Sequence, residues 1–239
     1  MYKPFIFELG LNHLGKEDLL AVYLKEINSI PIANQSIGIT IQLNPLSPYW
    51  DDYQISDPQV LRNFLDDARS IGFSVGLALG PLSHLEFENA MSLAPDFVKL
   101  LTISLENREF RERIVSLDLG IPKLLSIGNA DLLDASWLPA LKGDEDFYPV
   151  HTRFEEALDK QEFEAIGYLM RFARCVYFGN HCSDLRAPIE ALKAGAQGLL
   201  LYVKHDDPEA VFPDDIHAVS LSTLRAYIET VRPFIEIRQ

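Results

Sequence analysis

Residues 8 to 15 read Glu-Leu-Gly-Leu-Asn-His-Leu-Gly and follow an apolar run, Pro4-Phe5-Ile6-Phe7. A carboxylate (Glu8), an amide (Asn12) and an imidazole (His13) therefore meet where a buried strand gives way to a loop. In parallel α/β proteins that end of a strand is where ligands bind. Glu8 has the chemistry of a general base or an acceptor for sugar hydroxyls. The plainer alternative is a βα turn in which Gly10 and Gly15 are punctuation and Asn12-His13 cap the next helix.

The rest of the chain supplies the elements that would position such a site. Short runs rich in Ile, Leu, Val and Phe recur at Phe5–Leu9, Gly38–Leu43, Ser74–Leu79, Phe97–Leu101, Lys123–Ile127, Phe147–His151, Cys175–Asn180 and Gly198–Val203. They are continuously apolar rather than alternating, as strands buried on both faces are. Helical patterns separate them. Asp57-Pro58 reads as an N-cap with proline at the first helical position, ahead of an apolar stripe at Leu61, Phe64, Leu65 and Ala68. Further helices are expected over Ser104 to Leu117, Glu162 to Phe172, Ala187 to Ala194 and Leu221 to Pro233. Eight strands with following helices in 239 residues predict an α/β fold, a (β/α)8 TIM barrel, as a single domain over residues 1–239. A doubly wound open sheet is the rival, but Gly10 and Gly15 do not make a dinucleotide-binding glycine turn. Long segments at 44–57 and 203–219 are candidate lids.

Composition narrows the function. The chain is 48% hydrophobic and 23% charged, the profile of a globular domain with a large core. No apolar run is long enough for a membrane span, and the first residues lack the pattern of a signal peptide, so a cytoplasmic protein is expected. With 21 basic and 35 acidic side chains the net charge is −14, which argues against nucleic acid and anionic membranes as partners. Cys175 and Cys182 fit neither a disulfide framework nor a zinc spacing.

The strand ends, taken in order, offer Glu8, Asn12 and His13; Gln42 with Asn44; Lys99 with Thr102; Ser126; His151; Asn180 with His181; and Tyr202 with Lys204 and His205. Of the six histidines, all but His84 fall at or just beyond an expected strand end. Glu8 and Lys99 are candidates for catalysis or for a structural ion pair across the barrel, because an unpaired ammonium in an apolar interior is expensive. Asn12, His13, Gln42, Thr102, Ser126, His151, Asn180 and His217 are candidates for substrate binding. His181 and His205 could ligate a divalent metal through neutral imidazoles, or be ordinary hydrogen-bonded histidines.

Glu8 to Gly15 closely resembles the opening signature of the sialic acid synthase (NeuB) family, Glu-Ile-Gly-x-Asn-His-x-Gly. The likeness continues in order through Phe97-Val98-Lys99-Leu100, Lys123-Leu124-Leu125-Ser126-Ile127-Gly128, Val150-His151, Asn180-His181, Ala194-Gly195-Ala196 and Asp215-Ile216-His217-Ala218-Val219-Ser220-Leu221. The resemblance implies a (β/α)8 barrel that condenses phosphoenolpyruvate with an amino sugar, aided by a divalent metal (Mn or Mg). It assigns Glu8 to the sugar, Lys99 and Ser126 to anions, and His181 to the metal. The partner it implies is a small-molecule sugar or sugar acid, with a homo-oligomer left open. The family's C-terminal antifreeze-like domain has no counterpart before Gln239.

The pattern also departs from the family. Thr40 stands where the family has a phosphoenolpyruvate-binding lysine, and Ala78 where it has a phosphate-binding threonine. Either Tyr202 or His205 falls at the second metal histidine. Charge-assisted bonds of this kind are each worth roughly 1.5–3 kcal/mol, so phosphoenolpyruvate binding in the family mode should be much weaker. Two readings follow, a divergent synthase and a sugar-binding or regulatory barrel that has lost the phosphoenolpyruvate site. A third, metal-dependent chemistry such as isomerisation, rests on the histidines alone.

Overall fold

A computed structural model describes residues 3–55, 57–128, 146–149, 166–171, 173–180, 183–207 and 212–236. Along the chain run β1 (Phe5–Glu8), α1 (Glu17–Asn28), β2 (Ile37–Leu43), α2 (Trp50–Tyr53), α3 (Pro58–Ile71), β3 (Ser74–Leu79), α4 (His84–Met91), β4 (Phe97–Leu100), α5 (Thr102–Glu106) and α6 (Arg108–Ser116). There follow β5 (Lys123–Ile127), β6 (Asp146–Pro149), β7 (Cys175–Asn180), α7 (Arg186–Ala194), β8 (Gly198–Lys204), β9 (Val219–Ser220) and α8 (Leu221–Glu236).

The strands β1 to β8 pair in chain order, each parallel to the next, and β8 pairs with β1 as well as with β7. The sheet is α/β, parallel and curled, and TIM-barrel-like. Helices follow β1, β2, β3, β4, β7 and β8. Residues 129–145, between β5 and β6, lie outside the described residues; of the helix expected over Glu162 to Phe172, residues 166–169 are helical, 170–171 form a turn, and 162–165 and 172 lie outside the described residues.

Burial explains the continuous apolar runs. One set of strand side chains, including Phe7, Ile39, Val75, Val98 and Leu199, packs outward against the helices in the main core. The alternate set, with Ile6, Phe97, Leu124, Tyr177, Leu200 and Tyr202, packs within the curl of the sheet. Gly76 is the register partner of Phe97, and a Cβ there would lie 2.4 Å from the Phe97 ring. The glycine is required by a close approach of a neighbouring strand's aromatic ring.

Asp57 caps α3 as expected, accepting from the Gln59 N–H at 2.8 Å, with Pro58 in the first turn. The helix expected over Ser104 to Leu117 is instead two. Asn107 leaves the helical region and its side chain accepts from the Phe110 N–H at 3.0 Å, capping α6. The Asn side chain competes with the backbone ladder and restarts the helix. A second difference lies in the loop expected over 203–219, which ends in β9, paired with β8 at Val203–Val219.

Gly76→Ala should destabilise the protein by about 1–3 kcal/mol, because the Phe97 ring must shift inside a packed layer. Gly167, exposed on a helical turn with nothing among the described residues within 4 Å of where a Cβ would sit, is the contrast. There Ala should stabilise by about 0.5–1 kcal/mol. Urea unfolding of both variants measures the pair.

Candidate functional site

The register places Glu8 beside Thr40 on one side and Tyr202 on the other. Both β1 side chains that point into the curl, Ile6 and Glu8, follow the period-two alternation. From β4, Lys99 reaches across and donates to Glu8 Oε2 at 2.7 Å and to the Tyr202 hydroxyl at 2.8 Å. The Thr40 hydroxyl donates to the same carboxylate oxygen at 2.7 Å. Glu8 Oε1 accepts from the Gly10 N–H at 3.0 Å. Glu8, Thr40 and Lys99 are fully buried. Of the two uses expected for Glu8 and Lys99, the geometry realises an ion pair, here with a hydroxyl at each end.

Two further candidates lie together on neighbouring elements. Thr102, at the start of α5, has its Oγ1 3.1 Å from Ser126 Oγ and 3.2 Å from the Ser126 carbonyl oxygen. Gln42, one pleat beyond Thr40, is half-buried with its Oε1 close to Gly10.

Asn12 and His13 do not cap α1, whose N-cap is Lys16 without a side-chain bond. Buried Asn12 instead donates from Nδ2 to Asp215 Oδ2 at 2.8 Å and accepts the Phe212 N–H at 3.1 Å. Phe212 in turn packs edge-on against Tyr49 and Tyr53, with ring centroids 5.0 and 6.0 Å apart. The octapeptide thereby anchors both segments expected as lids. No local signal announces this, since Asn12 and Asp215 are 203 positions apart.

His13 is buried, and its Nδ1 accepts from the Gly15 N–H at 3.0 Å. The proton therefore sits on Nε2, which has no hydrogen-bond partner among the described residues. Burial lowers its pKa to about 4, so the imidazole is neutral at pH 7.

The remaining candidates among the described residues, Asn180, His205 and His217, are not brought to Glu8. Asn180 is buried on the outward face of β7 and donates to the Tyr227 hydroxyl of α8 at 2.6 Å. Its place beside Phe178 in the alternation is the signal that separates it from the inner set. His217 is exposed and its carbonyl accepts from the Ser183 N–H. His205 follows β8, with Nδ1 accepting from the Asp207 N–H at 3.1 Å. His151 and His181 lie outside the described residues. Of the two alignments open at the second metal position, Tyr202 is the residue beside Glu8, and its hydroxyl is occupied by a cation. Among the described residues no group of three or more His, Cys, Asp or Glu could hold a metal, and the expected ligand His181 lies outside them.

Lys99→Met should cost about 3–5 kcal/mol, because it strands a buried carboxylate. Adding Glu8→Gln should recover much of that loss, which a double-mutant cycle by urea unfolding measures. His13 gives a pH dependence whose sign is fixed. Its folded pKa, about 4, lies below the unfolded value near 6.5. Between those values the unfolded chain binds the extra proton, so stability falls as pH drops from about 6.5 to about 4. The contribution is on the order of 3 kcal/mol, and His13→Gln should flatten that part of the stability–pH curve.

No family model and no curated protein matches the sequence. Solved structures do match in fold. The N-acetylneuraminic acid (sialic acid) synthetase of Leptospira borgpetersenii superposes with a TM-score of 0.79 at 14% identity, covering 99% of this chain and 85% of that one. Spore coat polysaccharide biosynthesis protein SpsE of Bacillus subtilis gives 0.77 at 14% identity, covering 100% and 70%. The tryptophan synthase α-subunit of Pyrococcus furiosus is further away, at 0.58 and 15% identity over 99% and 98%. The resemblance carried by Glu8 to Gly15 is thus matched in the fold, which is that of a sialic acid synthetase and a spore coat polysaccharide biosynthesis protein.

Proposed function

We propose that this chain is a divergent sialic acid synthase-type (β/α)8 barrel, a single domain of carbohydrate biosynthesis in the cytoplasm. Its C-terminal mouth receives a sugar or sugar acid, and it no longer holds phosphoenolpyruvate in the family manner. The observation that carries this reading is the direction of the Thr40 hydroxyl. It donates to Glu8, inside the buried network, where the family pattern has a lysine for the phosphoenolpyruvate anion. Ala78, buried on the neighbouring strand, offers no donor in place of the family's threonine. Two charge-assisted contacts are missing from one anion site.

The retained polar groups suit hydroxyls better than phosphates. The Thr102–Ser126 pair and the half-buried Gln42 amide stand at the C-terminal ends of β4, β5 and β2, and neutral donors and acceptors of this kind orient sugars. Condensation with phosphoenolpyruvate is the second reading, favoured by the survival of Glu8, Lys99 and Ser126. A divalent metal, Mn or Mg, belongs to that reading through His181 and His205. The Tyr202 hydroxyl already accepts from the Lys99 ammonium, which in that reading favours His205 for the second ligand position.

N-acetylmannosamine and N-acetylneuraminate should raise the melting temperature of the purified protein, while phosphoenolpyruvate should not. Ser126→Ala should weaken the sugar effect by about 1 kcal/mol, one neutral hydrogen bond. Phosphate release from phosphoenolpyruvate and N-acetylmannosamine in the presence of manganese would replace this reading with the second. An unchanged melting temperature with every sugar tried, and no turnover, would sink both.

A further inference from the structure

At the other end of the sheet, among the starts of the strands, lies a cavity of about 470 Å³. Its inner wall is formed by Ile6, Phe97, Leu124 and Tyr177. Those four belong to the apolar layer that continues to Tyr202, so the cavity is on the far side of that layer from the Glu8–Lys99 pair. Sugar binding at the C-terminal mouth makes no use of it.

Three charged groups face this cavity: Lys3, Arg69 and Asp96. Two of them satisfy each other and their surroundings. Asp96 Oδ2 accepts from the Val75 N–H at 2.7 Å and lies 3.8 Å from Arg69 Nε. The Arg69 guanidinium also donates to Asp66 and to the Ala94 carbonyl. Lys3 is different. The residue is only 5% exposed, and its ammonium spends one N–H on the Gln35 carbonyl. It forms no ion pair among the described residues. Burial lowers its pKa, and the field of Asp96 offsets part of that shift. An ammonium has three donors, so the cavity holds a buried surplus cation with donor capacity left over.

We propose that this cavity is a second ligand site, for a small amphipathic carboxylic acid. The carboxylate takes the remaining Lys3 donors, and a ring-sized apolar body lies on Phe97, Leu124 and Phe73. A single surplus charge suits a monoanion. A phosphate dianion would bring a second negative charge close to Asp96, and Arg69, the other cation there, is already shared between Asp66 and Asp96. The cavity lies within the size range of small-molecule sites and has their composition, mostly apolar walls with a few fixed polar groups.

Benzoate, its neutral isostere benzamide, and inorganic phosphate are the probes. Titration of the full chain, followed by side-chain NMR of Leu124 and Phe97 and by calorimetry, should show saturable benzoate binding at those residues. Benzamide should bind about tenfold more weakly, and phosphate should not shift them. Lys3→Met should weaken benzoate by about tenfold and leave benzamide unchanged, whereas Lys3→Arg should retain binding within about threefold. Equal affinity for benzoate and benzamide in the unmutated chain overturns the proposal. So does tighter binding of phosphate, or the absence of any saturable shift at Leu124 and Phe97. These readouts do not depend on sugar binding, so either idea can fail without the other.

Discussion

A carboxylate and an ammonium, both without solvent, cross the interior of this sheet between β1 and β4, and much of the surrounding sequence follows from them. Taking Glu8 and Lys99 out of water carries a desolvation cost that their mutual attraction offsets only with further hydrogen bonds in place. Those bonds are present: Gly10 and Thr40 complete the carboxylate, and the Tyr202 hydroxyl takes a second donor of the ammonium. The register then constrains the neighbours. Thr40 and Tyr202 flank Glu8 on the adjoining strands, while Ala78, the register partner of Lys99, contributes only a methyl group. The residues at 40 and 78, where the chain departs from the synthase pattern, and Tyr202 are therefore connected. They surround one buried pair, and the Thr40 and Tyr202 hydroxyls are both bonded to it.

The same layer logic governs the other end of the interior. Gly76 opens space for the Phe97 ring, and Gly198 does the same for Tyr177, whose ring would lie 2.6 Å from a Cβ there. Aromatic rings supplied by two strands interlock with glycines supplied by their neighbours, the close packing expected of a protein interior. The result separates a polar upper layer from the apolar lower one.

Most of the architecture is legible in the sequence because strands buried on both faces write themselves as unbroken apolar runs. Ser74–Leu79, Lys123–Ile127 and Cys175–Asn180 coincide with the expected segments. Glu8 and Lys99 are legible for a related reason: a charge inside such a run must have a partner. What cannot be read is whatever depends on distant contacts. The Asn12–Asp215 bond joins residues far apart in the chain, and β9 exists only because β8 offers it an edge. Asn107 is readable in principle as a cap. Its signal is overridden by the apolar stripe of Phe110, Ile114 and Leu117, which suits one long helix as well as two. Asn180 stands at a strand end without facing the ligand side, because position along a strand says nothing of which face a residue occupies.

The octapeptide that carries the family resemblance serves two ends of different generality. Glu8 belongs to the polar inner layer, where it is bound into the buried pair. Asn12 is committed to architecture, with its amide nitrogen on Asp215 and its oxygen on Phe212, and through Phe212 it draws in Tyr49 and Tyr53. His13 holds a buried, neutral ring in the same turn. A motif that pins two long loops to the mouth is held in place by folding even when the reaction has changed, because losing Asn12 would take a donor from the buried Asp215 carboxylate and an acceptor from the Phe212 N–H together. The presence of Glu8 to Gly15 therefore speaks for common architecture more strongly than for common chemistry, and the chemistry must be judged on Thr40 and Ala78.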